Sequence, residues 1–297
     1  MQTFIIGILE EGFAYAILAL GVYITYKILD FPDLSVDGTF PLGGAVTAVL
    51  ITAGVNPLLA LFISFLAGAV AGIITGIIYV KFKVRDLLSG IIVMTALYSI
   101  NLRIAGSANV PIFMKDSIFE NSLTRLVPDW FSPFLVVTIL FLIVVIMKVL
   151  LDLYLGTKSG YLLQAAGDNE TVVTSLAKDK GAMKIVGLAI ANAFVAMSGS
   201  IFAQKNGYFD ISIGTGAIVT GVASVIIGTN MFQRFGQFKA TTAVVIGSIL
   251  YKACVAVAIN LGLKAQDQKL ITSVLFLIIL ITSNEKKRRK KVNAQVD

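Results

Sequence analysis

Histidine is absent from the 297 residues. That removes histidine-based acid–base catalysis, histidine-ligated metal centres and the Ser-His dyad of intramembrane serine proteases. A single cysteine, Cys254, sits inside an apolar run, which excludes intrachain disulfides and cysteine-cluster metal sites. A nucleotide phosphate loop is also missing. Gly156-Thr157-Lys158-Ser159 resembles the end of one, but the upstream glycine and the adjacent Gly-Lys pair are lacking. Ala165-Ala166-Gly167-Asp168 resembles the motif of intramembrane aspartyl proteases without its first glycine, and it lies in a charged loop. Enzyme readings therefore fail on inventory, and neither a cofactor nor a metal is expected on this chain.

Charge is scarce as well, at 14% of residues against 57% apolar, with a mean hydropathy of +0.89. No water-soluble core could hide that much apolar surface, so the solvent must be lipid. Apolar stretches near the ~20 residues needed to cross a bilayer recur along the chain. They predict an all-α polytopic integral membrane protein with spans at about 5–27, 38–54, 57–80, 87–103, 133–155, 184–203, 214–232, 241–262 and 270–283. Several of these, notably the second, fourth and last, are short, and short Gly/Pro-interrupted segments are where transporters keep broken or re-entrant helices. One permease-like membrane domain, 1–285, is expected to precede a basic tail, 286–297. The first span carries Glu10 and Glu11 without a basic leader or a small-residue cleavage site, and reads as a retained helix.

The formal charge of +7 could suggest nucleic acid, but six of the 24 basic residues form the run Lys286, Lys287, Arg288, Arg289, Lys290, Lys291. A basic run just after a span marks the cytoplasmic side. With that end inside, seventeen basic residues fall inside and six outside, while Lys252 lies within a span. The N-terminus is then expected outside and the C-terminus in the cytoplasm, in a cell inner membrane. Two loops stand out. The outward loop at about 104–132 contains Trp130, placed as an interfacial anchor, and reads as a cap on the external mouth. The cytoplasmic loop at about 156–183 reads as one or two short amphipathic helices on the membrane surface.

Three constellations could carry function. Asp30, Asp33 and Asp37 sit directly against apolar spans, with Pro32 and Gly38 among them. This is either a solvated loop or a helix broken beside the translocation path, with Ser35 and Asp37 facing the path. Lys252, near the middle of its span, either snorkels and pairs structurally or lines the pore. There it could meet a substrate carboxylate or one of those aspartates. Asn101, Asn192, Ser198, Asn230 and Asn260 could line a path, although interhelical hydrogen bonds are the commoner use of such groups. Gly68, Gly72 and Gly76, four residues apart, predict a helix-packing stripe.

Three stretches together resemble a known family. They are Gly12-Phe13-Ala14-Tyr15-Ala16-Ile17-Leu18-Ala19-Leu20-Gly21; Asp33-Leu34-Ser35-Val36, followed by a span with Gly43-Gly44-Ala45; and Gly160-Tyr161-Leu162-Leu163-Gln164-Ala165-Ala166-Gly167-Asp168-Asn169, continuing into the span with Ser198-Gly199. They are similar to the first span, the start of the second span and the coupling loop of ATP-binding-cassette importer permeases of the ribose and branched-chain amino acid class. The chain departs from that class in carrying Gln164 where members commonly have an arginine, which takes away the cation for an ion pair to the ATPase there.

The resemblance implies a permease working with a separate cytoplasmic ATPase, on which ATP binds, with an extracytoplasmic binding protein and with a second permease copy. The homodimer is favoured and a heterodimer stays open. It implies that Gln164, Ala165, Gly167, Asp168 and Asn169 dock on the ATPase. Asp33, Ser35, Asp37, Asn101, Asn192 and Lys252 are the expected substrate-pathway residues, and an amino acid, with an aromatic one as the narrower choice, is the expected cargo. The alternative is an ion- or proton-coupled carrier using Lys252 and Asp37.

Overall fold

The computed structural model describes residues 2–121, 124, 127–128, 131–168, 180–232, 239–262 and 267–293. Ten α-helices follow in chain order: α1 Gln2–Tyr23, α2 Val36–Thr52, α3 Pro57–Val80, α4 Asp86–Ala105, α5 Ser132–Leu155, α6 Lys158–Asp168, α7 Lys180–Asn206, α8 Ala217–Phe232, α9 Ala240–Asn260 and α10 Gln268–Asn293. Seven helical segments among the described residues are long and apolar enough to cross a membrane, and Val36–Thr52 and Lys269–Thr282 are shorter apolar helices. Helix starts follow local chemistry. Asn56 accepts the Leu58 N–H at 2.9 Å ahead of Pro57, whose missing donor costs nothing in the first turn. The seventh expected span begins differently, because a short strand and a 3₁₀ turn, Ile211–Gly214, precede α8. The last helix continues through the basic run to Asn293.

The core is built around α1. From Gly12 to Tyr23 nearly every side chain is buried, as suits a helix that is apolar on all sides. It packs against α5, α7, α8 and α9. The outer helices expose apolar faces, with Phe62, Leu66 and Val70 on α3 and Phe141, Ile146 and Leu150 on α5, surfaces that only lipid can cover.

Close backbone approach holds α3 to α7. A Cβ at Gly68, Gly72 or Gly76 would run into Asn192, Leu188 or Ile185 of α7, so the stripe expected from the four-residue spacing is a packing stripe. Hydroxyls add interhelical bonds in the same region. Thr47 of α2 lies 2.9 Å from Ser64 Oγ of α3 and 2.5 Å from Ser200 Oγ of α7. Ser198 of α7 donates to the Ala14 carbonyl of α1 at 2.7 Å.

At one end, β1 (Asn109–Pro111) and β2 (Tyr208–Asp210) form a two-stranded antiparallel ribbon pairing Val110 with Phe209. It ties the loop after α4 to the end of α7. The Ile118 N–H donates to Gln204 Oε1 at 3.0 Å, and Ile118 and Phe119 are buried. The part of the 104–132 loop through Phe119 thus folds down onto the bundle; Trp130 lies outside the described residues. At the opposite end, α6 lies against α5, α7 and the end of α1.

Candidate pathway and coupling sites

The chain breaks between α1 and α2 over residues 29–35, and Pro32 lies inside that break. α1 widens into a π-helical turn, Ile24–Ile28, where Leu29 N–H reaches back to the Ile24 carbonyl at 2.9 Å. Asp30 then adopts φ +62°, the left-handed region that ends the helix. Gly38, expected to relax the chain, lies within the first turns of α2. It is needed there for contact, since a Cβ would press on Met94 and Leu97 of α4 at 3.0 Å.

The three aspartates diverge. Asp30 is exposed. Asp33 is 1% exposed and holds the break closed: its carboxylate accepts Ser35 N–H at 2.9 Å, Ser35 Oγ at 2.7 Å and Asn192 Nδ2 at 2.8 Å. Ser35 Oγ also lies 3.1 Å from Asn192 Oδ1. Asp33, Ser35 and Asn192 therefore form one buried node joining the break to α7, and the expectation that Ser35 faces an open path is corrected. The close approach of Gly90, where a Cβ would stand 2.8 Å from Leu34 N, brings α4 onto the same turn.

Asp37 points elsewhere. It is half-buried and receives Ile218 N–H at 2.8 Å and Gly216 N–H at 3.0 Å, placing a carboxylate on the N-terminus of α8. Pro41 leaves the Asp37 carbonyl without its helical donor, and Gly214 packs directly on that carbonyl. Asp37 lines a cleft of ≈ 390 Å³ between α2, α4 and the 211–215 turn, together with Asn101, Thr95 and Tyr98. Asn101 donates to the Gly38 carbonyl at 3.0 Å; its buried Oδ1 accepts no hydrogen bond among the described residues. Replacing Asp37 with alanine is expected to cost ~1–2 kcal/mol of cap stability. Faster amide exchange at 216–218 in hydrogen-exchange mass spectrometry checks it, and unchanged exchange there would contradict it.

Lys252 does not meet the aspartates of the break. Its ammonium pairs with Glu11 Oε2 of α1 at 3.4 Å and lies 3.4 Å from the centroid of the Tyr15 ring. Glu11 Oε1 is held by Lys205 of α7 at 2.7 Å, and Lys205 also reaches Glu10 at 3.5 Å. Two carboxylates and two ammonium groups thus neutralise one another between α1, α7 and α9, as charges inside a membrane protein must. In the sequence, Glu10 and Glu11 argue only against a cleavable leader, and Lys205 counts as a loop charge. Carboxylates inside an apolar span were the available signal, because they require partners. A second cluster that sequence reasoning missed is Asp152 of α5, which accepts Thr241 Oγ1 at 2.6 Å and pairs with Lys148 at 2.9 Å and Lys239 at 3.4 Å.

The expected coupling residues lie on α6, except Asn169, which is outside the described residues. Ala165 is half-buried on this helix, and Asp168 is its last residue. α6 is amphipathic, with Leu163 and Ala166 buried against the bundle and Tyr161 65% exposed. Gln164 turns inward, its amide donating to the Leu155 carbonyl at 3.2 Å and the Gly160 carbonyl at 3.3 Å, so it pins α6 to the end of α5. Gly167 sits directly on the Ile28 carbonyl, with no room for a Cβ. The surface helix therefore touches the π-helical turn that leads into the break.

Comparison with known proteins accords with this arrangement. The family model described as "Branched-chain amino acid transport system / permease component" matches residues 4–283. The chain is 42% identical over 292 residues to the tyrosine transport system permease protein of Clostridioides difficile, covering 98% of this chain and 95% of that one. It is 23% identical over 284 residues to the ribose import permease protein RbsC of Escherichia coli, covering 94% and 85%. No solved structure matches. Polytopic, apolar on its outer faces and matched over almost its whole length, the chain belongs to the family of branched-chain amino acid transport system permease components and is the membrane permease of an ATP-binding-cassette transporter.

Proposed function

We propose that this permease imports an aromatic amino acid, receives the cargo from an extracytoplasmic binding protein, and is driven by a cytoplasmic ATPase that pushes on α6. The observation that carries the coupling part is the seat of Gly167 on the Ile28 carbonyl. Through it, a rigid displacement of α6 reaches the π-helical turn, the break and the Asp33–Ser35–Asn192 node without passing through a flexible segment. The substrate part rests on the 42% identity to a permease named for tyrosine transport.

In this reading ATP binds the partner alone, and the permease performs no catalysis and holds no cofactor or metal. Gln164 positions α6 from within, while Ala165, Gly167, Asp168 and Asn169 form the docking segment. Asp37 and Asn101 face the pathway from the cleft; Asp33, Ser35 and Asn192 position the break beside it. The α4 residues Thr95, Ser99 and Arg103 form an exposed polar stripe next to that cleft, a face better suited to water or a second permease copy than to lipid. That stripe favours a pathway shared between two copies. The N-terminus is outside and the C-terminal basic run in the cytoplasm of the cell inner membrane, as the distribution of basic residues supports.

The test is uptake of radiolabelled tyrosine by cells without their own aromatic transport, expressing the permease with its ATPase and binding protein. Uptake competed by phenylalanine and tryptophan and indifferent to ribose is expected. Uptake of ribose or of branched-chain amino acids in its place would overturn the substrate assignment.

A further inference from the structure

The cavity beside Lys252 is larger than the Asp37 cleft, ≈ 590 Å³, within the ~300–1,000 Å³ common for small-molecule sites. Its lining includes the Glu11–Lys252 pair, the rings of Tyr15, Phe202 and Tyr208, and Lys269. Lys252 is 7% exposed and has three donors, yet among the described residues it makes one hydrogen bond, the 3.4 Å contact to Glu11, besides its place over the Tyr15 ring. Glu11 is served differently, since Lys205 holds its other oxygen at 2.7 Å. Lys252 can therefore leave Glu11 without stranding a carboxylate. A buried ammonium with unused donors aimed into a cavity is a receptor for an anionic group.

The charges around it restrict what that anion can belong to. Glu10, Glu11, Lys205 and Lys252 sum to zero, and Lys269 in the lining leaves the site one positive charge ahead, so a cationic cargo would meet like charge. The carboxylate of a zwitterion meets two ammonium groups here, and its own ammonium has Glu11 for a partner. The aromatic rings, with Tyr15 and Phe202 edge-on at 5.8 Å between centroids, supply an apolar wall.

We propose that this cavity is a subsite for a free zwitterionic aromatic amino acid, with Lys252 receiving its α-carboxylate. The α-ammonium lies nearest Glu11 Oε2, the oxygen that Lys252 holds only loosely, and the cargo ring packs on Phe202, Tyr208 and the edge of Tyr15, whose faces are covered by Lys252 and Phe40. This rests on the aromatic amino acid reading above and deepens it.

The test is equilibrium binding of radiolabelled ligands to the full chain in lipid nanodiscs, comparing L-tyrosine with tyramine, which lacks the carboxylate. Tyrosine is expected to bind at least about tenfold more tightly, as befits hydrogen bonds to a charged partner. Lys252→Met should abolish that advantage by weakening tyrosine alone, and Lys252→Arg should keep most of it. Equal binding of tyrosine and tyramine by the unaltered chain, or equal weakening of both by Lys252→Met, overturns the subsite. Should the methionine variant fail to accumulate, the ratio in the unaltered chain and in Lys252→Arg decides. Tyrosine uptake by the whole assembly with a ratio near one removes the subsite and leaves the function standing. ATP-driven uptake of another cargo, with no aromatic amino acid bound or moved, removes the function on which it rests.

Discussion

Replacing Asp33 with alanine is expected to destabilise the permease by ~2–6 kcal/mol and to bring transport to background. The side chain is 1% exposed and accepts from Ser35 N–H, Ser35 Oγ and Asn192 Nδ2. In its absence the serine hydroxyl can turn to Asn192 Oδ1, already 3.1 Å away, but the Ser35 N–H and one Asn192 N–H lose their acceptor. Each orphaned buried donor costs ~1–3 kcal/mol. The second effect is on the break itself, because the turn after Asp30 then loses its tie to α7. Asp33→Asn should be milder, since an amide keeps one acceptor. Denaturant unfolding in micelles, read beside uptake, checks the order alanine worse than asparagine; equal stability of all three proteins would contradict it.

Gly167→Val is expected to lower transport by more than tenfold while the permease still accumulates in the membrane. A valine cannot occupy the space against the Ile28 carbonyl, so α6 must lift or tilt at its last turn. The inward anchors, Leu163, Ala166 and the Gln164 bonds to the α5 end, lie earlier on α6 and keep it attached. The damage therefore falls on the link to α1, not on the bundle. The distinguishing measurement is ATP hydrolysis by the assembled transporter: the variant should hydrolyse ATP without moving cargo, or lose the ATPase altogether. Full uptake with Gly167→Val would mean that the contact transmits nothing.

The membrane character and most of the helices were legible because crossing a bilayer imposes a length and an apolar composition that survive in any reading of the chain. The Gly68, Gly72, Gly76 stripe was legible for a similar reason, since its period places three small residues on one face. The break around Pro32 is legible from that residue's local conformational signal, whereas the π-helical turn Ile24–Ile28 that precedes it carries none and packs on α6 and α7. The Glu11 partnerships were invisible for another reason: Lys205 and Lys252 lie 194 and 241 residues away, and only the fold brings them together. Asp33 and Asp37 both read as pathway residues in the sequence, with Asp37 the one turned to the path, and their different roles arise from what packs on each, α7 on one and the start of α8 on the other.

In the proposed function this chain is a passive, pathway-forming subunit moved by an external motor through α6. Carboxylate–ammonium pairs within membrane helices, such as Glu11 with Lys252, are also what an ion-coupled carrier would use, so the energy source is the decisive quantity. The most direct measurement is cargo uptake into proteoliposomes containing the permease with its ATPase and binding protein, energised either by ATP or by an imposed proton or sodium gradient. Uptake is expected to require hydrolysable ATP, to persist when gradients are collapsed, and to disappear when the ATPase is left out. Uptake driven by a gradient with the permease alone and indifferent to ATP would contradict it.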